Sequence, residues 1–439
     1  MSEHEARLWE LGLKTIRELE IDRGILASGR EEIFGCIFGR DSLLTSLALL
    51  RVREKREQTL FLPLVRKVLQ NLSLLQGTMV NIESGEEPGK CIHEFRPGDH
   101  DRLTKQSARP WFVYPDDEMR NYDSVDSTPL FLIAAHSYLR ESDDEAFIHA
   151  IEPNIRAALD WLLNYADSNG DGFIDYRFHP DRTHGGLTVQ SWMDSGNSVF
   201  HEDSDLQPPY PIAPVEVQAY AYVALRSWSD YFEAVDPVYA ERLASRAADL
   251  KRRFNASFVR IRAGVATLAY AIDGNGKQLL SARSSMGHCL WAVYKKYPDS
   301  LPESILEDRF IGDIVRRLNA RDMFVPRAGI RTLSSRSRKF NPMSYHNGSI
   351  WPHDTAMIAE GFENFGYREE AHQVRAGLIL AFTHFKTPIE LFAYTRGRWR
   401  EYRDQSGNGA CRQQAWSAAS LLSTIEMNAK HDEAAHTVL

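Results

Sequence analysis

The feature that most constrains this chain is apolar spacing of helical period, which recurs in a dozen segments from one end to the other. They fall near residues 5–20, 42–52, 61–75, 129–140, 146–165, 215–233, 237–255, 284–297, 303–318, 350–365, 368–384 and 413–428. Each amphipathic helix must bury its apolar stripe against a neighbour. No Ser/Gly-rich or Pro-rich linker and no low-complexity tract divides the 439 residues, so residues 1–439 read as one domain. About six helical hairpins of some 35 residues consume the length, and closing them in a ring leaves no apolar face exposed. An open solenoid is the structural rival, but no residue signature recurs at a fixed period. The expected fold class is all-α, an (α/α)6 toroid.

Two helix starts carry their own signals: Ser142 stands three residues before Glu145 as a capping box, and Asp236 precedes Pro237 as an N-cap with proline at the first helical position. Two regions break the helical rhythm. Residues Ala266–Ile272 read as a strand entering the turn Asp273-Gly274-Asn275-Gly276, a small β-hairpin insertion. Residues 76–128, rich in Gly, Pro, Asp and Glu, are too long for a mere connector and predict a functional loop.

Sixty acidic against 52 basic side chains give a formal charge of −8, which disfavours nucleic acid as a partner and is compatible with a neutral sugar. The N-terminal stretch is charged and amphipathic, and no run of about 18 apolar residues occurs, so the expectation is a cytoplasmic protein with no membrane partner. Cys36, Cys91, Cys289 and Cys411 are far apart and lack CxxC spacing, which indicates neither a zinc site nor a disulfide framework. The loop Asp167–Asp175 imitates the first half of a calcium-binding loop. Phe178 stands where its bidentate Glu should be, so an Asx-turn is the favoured reading over calcium. His346 and His353, seven apart and interrupted by Pro352, do not form a metal pair. No metal and no cofactor are expected, and GxSxG, GxxxxGK[ST], HExxH and Gly-rich dinucleotide fingerprints are absent.

Ionisable and aromatic residues gather at junctions between helical segments, where a toroid's loops bring them to one mouth. The clusters are Phe38–Ser42, Ser191–Gly196, Pro214–Gln218, Asn341–Asp354 and, more weakly, Pro388–Phe392. Glycoside hydrolysis needs one carboxylic acid to protonate the leaving oxygen and one carboxylate to activate water or attack the anomeric carbon, roles that Asp194 and Glu390 fit. Trp192 and Met193 beside Asp194 favour its protonated form by desolvation. Residue types alone leave each group a second reading: Asp194 as cap of the Asp-Ser-Gly turn, Glu216 as a carboxylate complementing a helix dipole, Arg40 and Asp41 as a structural ion pair.

At these clusters the sequence resembles the bacterial amylo-α-1,6-glucosidase family, related to the glucosidase part of glycogen debranching enzymes. The matching stretches include EEIFGCIFGRDSLLTSLALL, EEPGKCIHEFR, DSVDSTPLFL, DGDGFIDY, SWMDSGNSVFHEDS, PVEVQAYAY, GHCLW, NPMSYHNGSIWPHDTAMIAEGF, PIELF and QQAWSAAS, in family order from about residue 28 to 425. The resemblance implies a six-hairpin toroid and an inverting, exo-acting α-glucosidase, with Asp194 as general acid and Glu390 as general base. It implies a sugar pocket lined by Arg40, Asp41, Trp192, Glu216, Tyr345, His346, Trp351 and His353. Related toroidal enzymes hydrolyse mannosylglycerate, glucosylglycerate or sucrose, so a small glycoside is the alternative substrate, with Arg396, Arg400 and Arg403 as candidates to meet an acidic leaving group. A catalytically silent sugar-binding toroid is the alternative of another class. Two departures touch the leaving-group side: the helical pattern begins almost at Met1, so the β-rich N-terminal domain of longer members is not expected in these residues, and the Cys-Gly-Phe-Pro-Arg that usually follows PELF is replaced by Ala393–Gly397. The segment 76–128, carrying Glu86, Glu87, Lys90, His93, Glu94 and Arg96, is expected to fold over the mouth and favour short glycosides over polymer.

Overall fold

The computed structural model describes residues 2–53, 55–404 and 407–437. Among them the chain is mostly helical. Besides the single helical turn Asp101–Thr104 in the long connector, twelve helices organise it: α1 (Glu3–Leu19), α2 (Gly39–Leu49), α3 (Lys55–Leu74), α4 (Ser127–Ser142), α5 (Glu145–Asn164), α6 (Val215–Phe232), α7 (Pro237–Ser257), α8 (His288–Trp291), α9 (Asp308–Leu318), α10 (Pro352–Asn364), α11 (Arg368–Phe385) and α12 (Ala415–Thr437).

The even-numbered helices pack in a closed order, α2 on α4, α4 on α6, α6 on α8, α8 on α10, α10 on α12, and α12 back on α2. Each carries an odd-numbered helix on its outer side: α3 on α2, α5 on α4, α7 on α6, α11 on α10, α1 on α12, and α9 on the 3-10 turn Ser284–Gly287 that leads into α8. The sequence explains the division. Helix α6 is buried on almost every face, including Glu216, Gln218 and Tyr220. Helix α7 buries only Ala240, Leu243, Ala247, Leu250 and Phe254, one stripe at helical spacing, and gives its remaining faces to charged residues. One apolar cluster reaches from Leu8 on α1 to Ile425 on α12.

Local signals fix several boundaries. Ser2 and Glu5 form a reciprocal capping box at α1, and Asp236 caps α7 through Tyr239 N–H (3.2 Å) with Pro237 at the first turn. The box expected at Ser142 is absent. Ser142 ends α4, its hydroxyl donating to the Tyr138 carbonyl (2.7 Å), Asp143 turns the chain through a left-handed conformation, and Asp144 caps α5 through Phe147 N–H (3.1 Å). The helix expected over 284–297 shrinks to one 3-10 turn and α8, because Ala292 is extended and Tyr294 pairs with Glu303.

The chain holds more β structure than a single hairpin, six small sheets among the described residues. The expected turn at Asp273–Gly276 joins Ala271–Ile272 to Gln278–Leu279, but Val265–Leu268 pairs instead with Val259–Arg262. Loops between helices supply the rest. Ile37–Phe38, Glu94–Arg96 and Met119–Asn121 form one sheet, so segment 76–128 is stitched to the strand that leads into α2. In the Asp167–Asp175 loop, Asp167 accepts from the backbone N–H groups of Gly170, Asp171 and Gly172 at 2.8–3.1 Å, an Asx-turn arrangement. No described helix is long and apolar enough to cross a membrane.

Candidate active site

The closed order of inner helices places several of their first turns around one cavity of about 790 Å³. Arg40 and Asp41 open α2, Trp416 opens α12, and the loop before α10 supplies Tyr345, His346 and Trp351. Gly39 makes room for this arrangement: a Cβ there would lie 2.0 Å from the Ile92 carbonyl, while its own N–H donates to His93 O at 2.9 Å. The approach holds the start of α2 against the long connector.

Arg40 is the electrostatic centre. Buried, it donates one Nη to Asp126 (3.0 Å), at the head of α4, and the other to Asp194 Oδ2 (2.6 Å). Burial pushes the Asp194 carboxyl above its ordinary pKa despite the opposing pull of Arg40. Asp41 is raised to about 7 by burial, with Asp194 and Asp126 adding to the rise and the attraction of Arg40 opposing it, and its Oδ2 accepts from Gln414 Nε2 at 3.0 Å.

Glu390 faces the same cavity with a different partner set. Its Oε1 accepts from the Tyr345 hydroxyl and its Oε2 from the backbone N–H of Cys411 (2.9 Å). Burial nevertheless raises Glu390 to about 7, the two hydrogen bonds opposing it. One carboxyl is thus fixed by a cation through one oxygen, and the other by neutral donors through both.

Aromatic rings wall the cavity. Trp351 packs edge-on against Tyr345 (4.9 Å), Trp192 (5.8 Å) and Trp416 (5.8 Å), and stacks on His346 (5.0 Å). His346 Nδ1 faces Ser195 N (3.3 Å) and Oγ (2.9 Å), and burial holds the ring well below its ordinary pKa, so it is neutral, with Nδ1 accepting and Nε2 protonated. Beneath Trp192 runs a buried chain from Tyr220 hydroxyl to His288 Nδ1 (2.6 Å) and from His288 Nε2 to Asp354 (2.8 Å); His288 stacks on the indole at 5.8 Å.

Of the residues anticipated from sequence, Arg40, Asp41, Trp192, Asp194, Tyr345, His346, Trp351 and Glu390 line this cavity. Glu216 and His353 do not. Glu216 faces a separate, water-sized cavity behind Met193 and Ser191, where burial raises it to about 8, and His353 lies behind Trp416, stacked at 3.8 Å. His93 and Glu94, expected over the mouth with the long connector, line the wall as well, whereas Glu86, Glu87 and Lys90 do not, and Gln414 and Trp416 join it without having been anticipated as site residues. Gln414 and Trp416 do carry a legible signal, a polar and an aromatic residue at a helix start as in the other clusters. At the mouth stand Arg30, Arg96, Arg102 and Trp111, whereas Arg396, Arg400 and Arg403 stay outside the lining. Among the described residues no group of three or more His, Cys, Asp or Glu side chains is arranged to hold a metal ion.

Residues 92–417 match a domain family described as mannosylglycerate hydrolase MGH1-like glycoside hydrolase. No curated protein sequence matches significantly. Among solved structures, the GH63 mannosylglycerate hydrolase of Thermus thermophilus in complex with Tris and D-glycerate superposes with a TM-score of 0.63 at 15% identity, over 95% of this chain and 99% of that one. The same enzyme in complex with glucose gives 0.59 at 14% identity, with the same coverage. A protein described as a wild-type glycosidase gives 0.57 at 12% identity, over 97% and 98% of the two chains. These likenesses establish the fold.

Proposed function

The chain belongs to the mannosylglycerate hydrolase MGH1-like glycoside hydrolase family, and from that premise we propose that it hydrolyses a small α-linked glycoside at its non-reducing sugar with inversion of configuration. Asp194 is the general acid and Glu390 the general base. We read the closed order of helices as an (α/α)6 toroid and the chain as one catalytic domain. The single observation that carries the reading is the pair of carboxyls on one aromatic-walled cavity with contrasting partners. Arg40 occupies Asp194 Oδ2, leaving Oδ1 to carry a proton toward the glycosidic oxygen. Tyr345 and Cys411 donate to Glu390, which favours its carboxylate and orients it to take a proton from the attacking water. As that water adds to the anomeric carbon, the bond to the leaving oxygen breaks and Asp194 supplies its proton.

For the leaving group, we favour a small acidic aglycone such as glycerate. Support comes from the family and from Arg30 and Arg102 at the mouth, two guanidinium groups on the cavity lining that suit a carboxylate. An amylo-α-1,6-glucosidase-like activity is the second reading, favoured by the motif stretches shared with that family from about residue 28 to 425.

A screen of mannosylglycerate, glucosylglycerate, α-linked disaccharides and short branched dextrins, following free monosaccharide, separates the two substrates. Proton NMR of the first product should show the β-anomer from an α-linked substrate; the α-anomer would exclude inversion. Asp194→Asn should lose roughly 10²–10⁴ in kcat and recover much of it on a glycosyl fluoride, whose leaving group needs no proton. Glu390→Gln should not recover. A folded Asp194→Asn with normal activity removes the assignment of Asp194 as general acid, whereas no hydrolysis of any screened glycoside by the unaltered protein would leave the sugar-binding toroid as the better reading.

A further inference from the structure

The inner helices have a second end. Arg51 follows the C-terminus of α2, Arg140 lies in the last turn of α4, Ser227 near the end of α6, Asn364 at the end of α10, and Lys295 just beyond α8. These residues, with His136 and Ser137, line a cavity of about 120 Å³. Asp41, Asp126 and Trp416 sit in or beside the first turns of inner helices, so this basal cavity lies toward the opposite end of the helix set from the candidate active site.

Its chemistry is one-sided. No acidic side chain is among its lining residues. Glu360, just outside it, is taken by Arg51 (2.6 Å) and by Trp291 Nε1 (3.1 Å), and Glu141 by Arg53 (3.0 Å). Arg140 donates to the Lys295 carbonyl (2.9 Å), which fixes the guanidinium beside the cavity without neutralising it. Lys295 forms no ion pair among the described residues. Burial, and then Arg51 and Arg140, hold its ammonium below the ordinary pKa, with Glu360 only partly offsetting them. His136 is pushed down to about 4 by burial and Arg140, so at neutral pH it is an uncharged hydrogen-bonding group. The partial negative charge of converging helix C-termini accounts for some cations here. It does not account for a lysine whose cationic neighbours outweigh its anionic one.

We propose that this basal cavity is a second binding site, for a small oxyanion of phosphate size. Arg140 and Lys295 supply its charge, and Ser137, Ser227 and neutral His136 its further hydrogen bonds. The volume of about 120 Å³ accommodates a tetrahedral oxyanion. An anion held by these groups would bridge α4, α6 and the segment that follows α8, and would stabilise the folded chain by mass action.

The test is thermal unfolding of the whole protein with inorganic phosphate titrated against sodium chloride at matched ionic strength. Phosphate should raise the melting temperature saturably, by about 2–4 °C at a hundredfold excess over Kd. Arg140→Gln/Lys295→Gln should abolish that rise while leaving kcat/KM, measured without phosphate, unchanged. Lys295→Met alone, which keeps the length of the side chain, should weaken phosphate at least about tenfold through loss of one charge-assisted contact. The proposal fails if wild type shows no rise beyond that in chloride, or if the variants keep the wild-type response. The latter result would assign the phosphate to the arginines at the mouth of the other cavity.

Discussion

Two carboxyls on one cavity wall acquire different characters from the atoms that touch them. Burial raises both, but Asp194 meets a guanidinium through one oxygen, and Glu390 meets a phenol and a backbone amide through two. A base must be ionised, so activity should fall as pH drops through about 7, the value to which Glu390 is held. Tyr345→Phe deletes a hydrogen bond that favours the carboxylate, so the acid limb of the kcat/KM profile should move to higher pH by roughly one unit, with activity partly regained in mild alkali. A limb that stays where it was would detach Tyr345 from the base. Asp194 and Glu390 were legible in the sequence because each stands in a short polar and aromatic run between helical segments. His93 was legible only as part of the segment expected over the mouth, because its place on the wall depends on strand pairing between Glu94–Arg96 and Ile37–Phe38, partners far apart in the chain. Glu216 misled for a related reason. A carboxylate at a helix start looks the same whether that start faces the cavity or lies behind Met193.

Elements followed apolar periodicity closely where they were long and amphipathic, as α5 and α7 are. They departed from it where caps competed. Ser142 and Asp144 both precede good helix formers, and Asp144 wins because the left-handed Asp143 intervenes. The long connector reaches the cavity, as its length suggested, but its anchoring was not foreseen. Asp123, near its end, is buried with Arg182 (2.7 Å) and also accepts from Asn121 Nδ2 (2.9 Å) and Leu187 N–H (2.9 Å). This pair ties 76–128 to the loop that brings Leu187 to the mouth. Removing one partner of a buried pair leaves an uncompensated charge, so Arg182→Gln should cost about 3–5 kcal/mol of stability. In chemical denaturation this appears as a lower midpoint. In kinetics KM should rise more than kcat falls, since the rim moves and the carboxyls do not. An unchanged midpoint would show that Asp123 is satisfied without the arginine.

At the scale of the molecule, closure joins what the sequence holds apart: α12 packs on both α1 and α2, so the chain's two ends meet. Helix count was readable from apolar spacing, but the order of packing was not, since each apolar stripe specifies only that some neighbour covers it. Closure also decides what can reach the carboxyls. They lie in a cavity of about 790 Å³, within the range of pockets that enclose small ligands. Its wall is completed by His93, Glu94, Arg96, Arg102 and Trp111 from the long connector and by Arg30–Gly35, joined to the connector where Arg96 donates to the Ile33 carbonyl (2.9 Å). A disaccharide or a glycosyl acid passes such a rim. The branch point of a polymer must bring neighbouring chains against it, and each clash removes transition-state contacts that a short substrate keeps. The enzyme should therefore favour short glycosides, with kcat/KM per chain end on glycogen at least roughly tenfold below that on the best disaccharide or glycosyl acid. Shortening the segment around the short helix Asp101–Thr104, while leaving His93 and Glu94 in their strand, should narrow that gap by raising activity on branched dextrin. Equal efficiency on glycogen and on short substrates in the unaltered protein would mean that the connector does not gate the mouth.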